Sequence, residues 1–437
     1  MVVRRITYIT FILIFLILTP LVILYTQGYR YNFHYGRVQK TGILIISSDP
    51  KKASIYLNDQ LIEDKTTPSR LEEMLPADYE IELVKDGYHV WQKRLPIWEN
   101  STTFAENIIL WKDNLPMLIN NQRVSFWQPA PNNKKMILVN QEGVTSYLDF
   151  SDDQITALDQ IDDQILQLLD WSNTNKKIIV KTDSQYQIIN LDNLNVDPIK
   201  LTSNYLPLSP QKIKWDLKSD NIIYSSNDLG IWKTDLFSQK KTLVYQAKNV
   251  LDFLFTDNNI YILKDDGLYK SKINANATTD LLESFKCPNC TFINRNTTKL
   301  VLLDRGDQKL YIVDRNSKTK MINTTAKNIT WLHNDTFLFY NNWELWIYEL
   351  KKREPELITR LGQPIQQALW HPEGRHIIYV SENKIKIIEL DNRELRNVIE
   401  LASLDQISNI EIDDQNKNLY FSGELASQKG IFKLEIR

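Results

Sequence analysis

The chain has few of the residues that carry most catalytic chemistry. Its 437 residues include five histidines, two cysteines and twelve glycines. The histidines (His34, His89, His333, His371 and His376) form no His-Glu-x-x-His and no close ligand cluster, which disfavours a zinc hydrolase. There is no Gly-x-Ser-x-Gly elbow, which argues against the commonest serine hydrolase arrangement, and no Gly-rich phosphate loop. A basic excess is also missing. With 52 Lys and Arg against 54 Asp and Glu the net charge is −2, unlike the basic stripe of a nucleic-acid binder. Pairs such as Lys51-Lys52, Lys134-Lys135 and Lys176-Lys177 lie in apparent turns and read as solvated loop charge. The acidic stretch Asp149–Asp163 lacks the glycine and the ligand spacing of a calcium loop, so it reads as a solvated loop. No catalytic, cofactor-binding or metal-ligating residue is assigned, no cofactor is expected, and the chain is expected not to be an enzyme.

What is present is apolar, and its pattern changes along the chain. A hydrophobic fraction of 43% and a charged fraction of 24% are those of a folded protein, and the length suits two or three domains. Ile6–Tyr25 is twenty residues without a charge, enough to cross about 30 Å of hydrocarbon as a helix. Tyr8, Tyr25 and Tyr29 suit the two interfaces, and no small-x-small cleavage site follows, so residues 6–26 read as an uncleaved anchor in a lipid bilayer. Arg4 and Arg5 precede this segment, while Arg30, Arg37 and Lys40 follow it, so charge counting alone sets no orientation. A short tail (1–5) before a large domain favours a signal anchor with the bulk of the chain extracytoplasmic. A linker is expected over 27–40.

The rest of the chain, from 113 to 437, is organised by a repeat. Ala368–Asn392 shows it most clearly. Leu369-Trp370 ends an apolar run, Pro372 and Gly374 make a turn, and His376–Val380 reads as a strand. Ile385 and Ile387 then sit two apart, as a half-buried strand requires. The same frame recurs with markers Trp127, Trp171, Trp215, Phe255, Phe292, Trp331, Trp370 and Ile412, spaced by 44, 44, 40, 37, 39, 39 and 42. A period near forty with up to four short strands is that of β-propeller blades. One blade cannot bury both faces of its sheet, so the repeats must pack into one body. Eight markers predict eight blades, or seven if the weak copy near Phe255 or Ile412 is only part of a blade. A non-repetitive β-sandwich is the alternative.

Residues 41–112 differ. Gly42–Ser47, Ala53–Leu57, Tyr79–Val84 and Tyr88–Ile97 read as strands, with Asp86-Gly87 as a hairpin turn, and Trp98–Asn121 would join the two domains. The pieces GILIISSDPKKASIYLNDQ and TTPSRLEEMLPADYEIELVKDGYHVWQKRLPI resemble the PEGA domain, a small β-sandwich module of bacterial and archaeal surface proteins. Pro76-Ala77-Asp78-Tyr79 stands where that family has Pro-Glu-Gly-Ala. The resemblance implies a non-catalytic module near the envelope, often beside a membrane segment, with no active-site residues. The repeats resemble WD40-like propellers of the TolB type, whose Trp-Ser-Pro-Asp-Gly-Lys is nearest matched by Trp370-His371-Pro372-Glu373-Gly374-Arg375. That resemblance is to an architecture and implies no function.

Cys287-Pro288-Asn289-Cys290 is the one motif with chemical potential. It precedes a β repeat with no βαβ pattern around it, and a zinc site would need two further ligands. A local disulfide closing a blade-connecting loop is the favoured reading. Free thiols, redox catalysis or a metal are the alternatives. The expected whole is an all-β, membrane-anchored, extracytoplasmic binding or scaffold protein, whose propeller presents loops to a protein or an envelope polymer, with no nucleic-acid partner. A propeller hydrolase or lyase acting on glycans or peptides, and a purely structural spacer, are the rival expectations.

Overall fold

A computed structural model describes residues 2–33, 36–158, 165–256, 259–273, 279–293, 299–314, 322–352 and 354–437. His34 and residues 159–163 of the acidic stretch lie outside them. The chain forms two compact units. One comprises Met1–Leu115 with Ile387–Leu401 and Ile436–Arg437, the other Pro116–Lys386 with Ala402–Glu435.

The first unit opens with the helix Val2–Thr26, which contains Pro20. Its 21-residue apolar stretch Ile6–Thr26, about 31 Å long at 1.5 Å per residue, is not buried in the chain. At its end Arg30 stacks 3.6 Å from the centroid of the Tyr25 ring and donates to the Tyr25 carbonyl at 2.8 Å. Where a linker is expected, Tyr29–Asn32 and Arg37–Lys40 pair as a small antiparallel ribbon.

The β-sandwich follows from alternation. Gly42–Asp49 alternates buried with half-buried residues over its first seven positions, as a strand with one face in a core does. It pairs antiparallel with Ser69–Met74 and parallel with Thr102–Ile109. The second sheet runs in the order Gln60–Thr66, Ser54–Leu57, Ala77–Val84, Trp91–Ile97. Its hairpin turns at Gly87 (φ +77°), and Ala77 pairs with Ile97 through to Leu83 with Trp91. The core between the sheets holds Leu44, Ile46, Ile55, Ile81, Leu83, Trp91, Leu95 and Ile108. Within this unit the buried Lys93 ammonium lies 3.2 Å from Glu389 Oε2 and 3.4 Å from Asp391 Oδ2, and donates to the Asp391 carbonyl at 2.8 Å. The segment 98–121 is not a plain connection. Thr102–Ile109 completes the sandwich, and Met117–Asn120 belongs to the last propeller sheet. The parallel partner of Thr102–Ile109 lies about sixty residues upstream, beyond the reach of local pattern.

Among the described residues the propeller has eight four-stranded sheets. Their first strands are Val124–Pro129, Ile165–Trp171, Lys212–Trp215, Asp252–Phe255, Cys290–Phe292, Asn328–His333, Ile365–Trp370 and Gln406–Ile412, and each carries one of the eight markers. In the clearest repeat the strands after the turn are His376–Ser381, Lys384–Glu389 and Val398–Ser403. Most second strands read as a continuous apolar run because both faces are covered. In Lys177–Thr182, Ile178 and Val180 pack toward the first sheet while Ile179 packs toward the third. In Lys299–Asp304, Leu300 and Leu302 face the fourth sheet while Val301 and Leu303 face the sixth.

Closure joins the two ends of the unit. The eighth sheet takes Gln406–Ile412, Asn418–Leu425 and Gln428–Glu435 from the carboxyl end and Met117–Asn120 as its outer strand. Tyr420 packs with Met136, Leu148 and Phe150 of the first sheet, its hydroxyl donates to Asp153 Oδ1 at 2.7 Å, and Lys433 pairs with Asp153 Oδ2 at 2.7 Å.

Candidate functional site

The first strand of each sheet is an edge strand, so part of its backbone has no partner within the sheet. Side chains of neighbouring first strands supply the missing partners. Asp170 Oδ2 accepts from the Trp215 amide at 2.8 Å, and Asp252 Oδ2 from the Phe292 amide at 2.8 Å. Gln367 accepts from the Ile410 amide at 2.9 Å and donates to the Ile410 carbonyl at 2.8 Å. The indoles of Trp331 and Trp370 donate to the carbonyls of Ile293 (2.7 Å) and Thr330 (3.0 Å). The other oxygen of Asp170 and of Asp252, and the Asn328 side-chain oxygen, accept from the next amide of their own strand at 2.8–3.0 Å. These staples link consecutive blades through their innermost strands.

Where the first strands of sheets two to five come together, they line a cavity of about 570 Å³. It brings Asp170, Asp216 and Asp252 together with Lys181, Lys212 and Lys214, so its wall is charge-balanced. Tyr186, Tyr224 and Phe255 add aromatic surface, and Tyr224 stacks on Phe255 with centroids 3.9 Å apart. Burial, then the neighbouring Asp216 carboxylate, holds the Tyr224 hydroxyl above its ordinary pKa, so it stays protonated.

Asp170 titrates abnormally. Burial pushes its carboxyl up to about 6; the amides of Trp215 and Trp171 and the Lys214 ammonium oppose that, and Asp252 adds to it. A carboxyl raised by burial in a cavity is a candidate general acid. The partner such an acid needs is a second carboxylate free to act as base or nucleophile. Asp252 is 1% exposed, bound to two backbone amides and paired with Lys214 Nζ at 2.5 Å. That is a scaffold anion.

The other residues singled out by sequence are distributed as follows. His371 and His376 are both buried in the seventh blade, where the His371 amide donates to the His376 carbonyl at 3.0 Å. His89 lies 3.8 Å from Asp113 in the first unit, and His333 is exposed. Of the acidic stretch, Asp149 closes its own turn by accepting from the Ser151 amide at 3.0 Å, and Asp153 makes the closure contacts above. Cys287 and Cys290 are joined as a disulfide, both buried, in the core between the fourth and fifth sheets. Sequence reasoning singled out Trp331 and Trp370 but missed the stapling acids and amide. They had a signal: Asp170 stands one residue before its marker, and Asp252 and Gln367 three before, each a polar interruption of an apolar run.

Residues 41–107 match the model of the PEGA domain. No curated protein matches the chain. Among solved structures, Hsv2 from Kluyveromyces lactis matches at 16% identity over 59% of this chain and 89% of its own, with a TM-score of 0.37. PorZ from Porphyromonas gingivalis, a bacterial surface component of the type-IX secretion system, matches at 13% identity over 71% of this chain and 42% of its own, with a TM-score of 0.42. The WD40 repeats of RRP9 match at 8% identity over 74% and 97%, with a TM-score of 0.43.

Proposed function

We propose that this chain is a membrane-anchored binding protein and not an enzyme, with its bulk extracytoplasmic and its propeller offering the cavity of sheets two to five to a protein segment or an envelope polymer. The observation that carries this reading is the state of two of the cavity's three acids. Asp170 and Asp252 accept backbone amides on both oxygens, so the groups best placed for chemistry hold blades together instead. What is left facing the cavity is polar and aromatic surface such as Gln167, Tyr186, Lys212 and Asp216, which suits a polar ligand of low net charge. The apolar helix, the match to the PEGA domain and the Cys287–Cys290 disulfide support an anchored position in an oxidising space.

Two measurements test the two halves of the reading. Protease added to intact cells is expected to digest the bulk of the chain, and protection until the membrane is breached overturns the placement. The purified full chain is expected to co-sediment with isolated envelope polymer or exported protein, with Lys212→Glu weakening retention. Turnover of a glycan or peptide that Asp170→Asn abolishes overturns the non-enzymatic reading in favour of a hydrolase or lyase.

A further inference from the structure

The register of the fifth sheet sets three sulfur and oxygen donors together. Cys290 opens the strand Cys290–Phe292 and pairs directly with Asp304 at the end of Lys299–Asp304. Cys287 returns to the same point through a turn in which the Cys290 amide donates to the Cys287 carbonyl at 3.4 Å. The two sulfurs and an Asp304 oxygen all lie within 4.8 Å of one another, and all three residues are buried.

Asp304 is the anomaly. It is 2% exposed. Its Oδ1 accepts from the amides of Gly306 (2.9 Å) and Asp307 (3.0 Å), and its Oδ2 sits 3.1 Å from Cys287 Sγ. Among the described residues, no ammonium, guanidinium or imidazole is one of these partners. While the sulfurs are bonded to each other neither carries a proton, so the Cys287 contact gives the buried Oδ2 no hydrogen-bond donor. Such an oxygen is costly unless a proton or a cation meets it. The Oδ1 bonds fix the carboxylate in this direction, so rotation to solvent is not available to it.

We propose that reduction turns this disulfide into a buried site for one zinc-class divalent cation, held by Cys287 Sγ, Cys290 Sγ and Asp304 Oδ2. A dithiol reductant supplies two electrons and two protons. The S–S bond breaks, two thiols form, and the reductant leaves as its own disulfide. The cation then displaces both thiol protons to solvent and is bound by two thiolates and one carboxylate. Two thiolates select zinc or cadmium over calcium and magnesium, and three protein donors leave one coordination position for a small exogenous ligand. The Cys-x-x-Cys spacing alone lacks further ligands, and the fold supplies one of them from fourteen residues downstream of Cys290. Disulfide and metal are mutually exclusive states of one site, so its occupancy follows the redox poise around the chain.

The test uses the full chain in detergent, reduced with a phosphine, freed of reductant without oxygen and titrated with cadmium. The expected result is one cadmium per chain with a near-ultraviolet thiolate-to-metal charge-transfer band, and neither in the oxidised protein. Asp304→Asn keeps an oxygen for the Gly306 and Asp307 amides and is expected to weaken binding by about 10- to 100-fold. Absence of the band in the reduced wild-type chain overturns the proposal, whatever the variant does. So does a stoichiometry of one cadmium per two chains, or an Asp304→Asn variant that folds and binds as tightly.

Discussion

Asp170→Asn should change the pH dependence of stability more than stability itself. The native carboxyl titrates at about 6, against 3.8 in a free side chain. The folded chain therefore keeps a proton through pH 4–6 that the unfolded chain has released. The sign follows from linkage. The Asp170 contribution is fully present below about pH 4 and is lost as pH rises through 6. A displacement of about two units at 1.36 kcal/mol each is about 3 kcal/mol across that window. Asparagine cannot titrate there, and with one oxygen it leaves either the Trp171 or the Trp215 amide unmet, a pH-independent cost of about 1–3 kcal/mol. The variant should be the weaker protein at pH 4, and its deficit should shrink by about 3 kcal/mol, to parity or beyond, by pH 7. Urea unfolding of the detergent-solubilised chain, followed by tryptophan fluorescence at half-unit steps of pH, measures this. A gap between the two proteins that stays constant from pH 4 to 7 refutes the idea that burial governs this carboxyl.

Other substitutions test the frame around it. Asp252→Asn leaves Lys214 without its counter-ion and one of two amides unmet, and should cost about 3–5 kcal/mol in the same urea assay. Gly430→Ala should weaken ring closure by about 1–3 kcal/mol, because the added carbon would lie 1.9 Å from the Asn120 carbonyl oxygen, and hydrogen exchange should rise first in Met117–Asn120. In the first unit, Lys93→Met strips a fully buried ammonium from Glu389 and Asp391 and should lower the melting temperature by a loss of about 3–5 kcal/mol. Burial raises the Asp391 carboxyl, but Arg393 and Lys93 outweigh it and hold it at about 2, so its stabilisation is present above about pH 4 and lost as pH falls through 2. With Lys93 gone, acid unfolding should begin at higher pH.

The propeller was legible because its period is written in large apolar residues. A second strand covered on both faces must be apolar throughout, and a run such as Lys299–Asp304 shows this without any neighbour being known. The hairpin around Gly87 was legible for the same local reason. What escaped were features that depend on partners far along the chain. Gln60–Thr66 is mostly exposed, so it carries no apolar alternation to mark it as a strand. Met117–Asn120 is four residues long, and its place is fixed by Gln428–Glu435, at the far end of the chain. The site was least legible. Asp170 and Asp252 are ordinary acids in the sequence, and only the approach of the next blade's amides gives them a role.

That approach also separates the cavity's residues into two kinds. Positions one and three before a marker lie on the same face of the strand, since side chains alternate with a period of two. From that face a polar group can reach the unpaired amides of the next first strand. In the cavity Asp170 and Asp252 are used this way, as Gln367 is outside it, and changing either acid alters the distance between blades as well as the surface they present. Lys212 occupies the equivalent place before Trp215 and lines the cavity, yet it staples no neighbouring strand among the described residues. Substitution at Lys212 therefore alters what the cavity offers while leaving blade spacing intact. Recognition is separable from stability at such a position, and a ligand effect at Lys212 without a shift in melting temperature would place the binding surface on this face of the propeller.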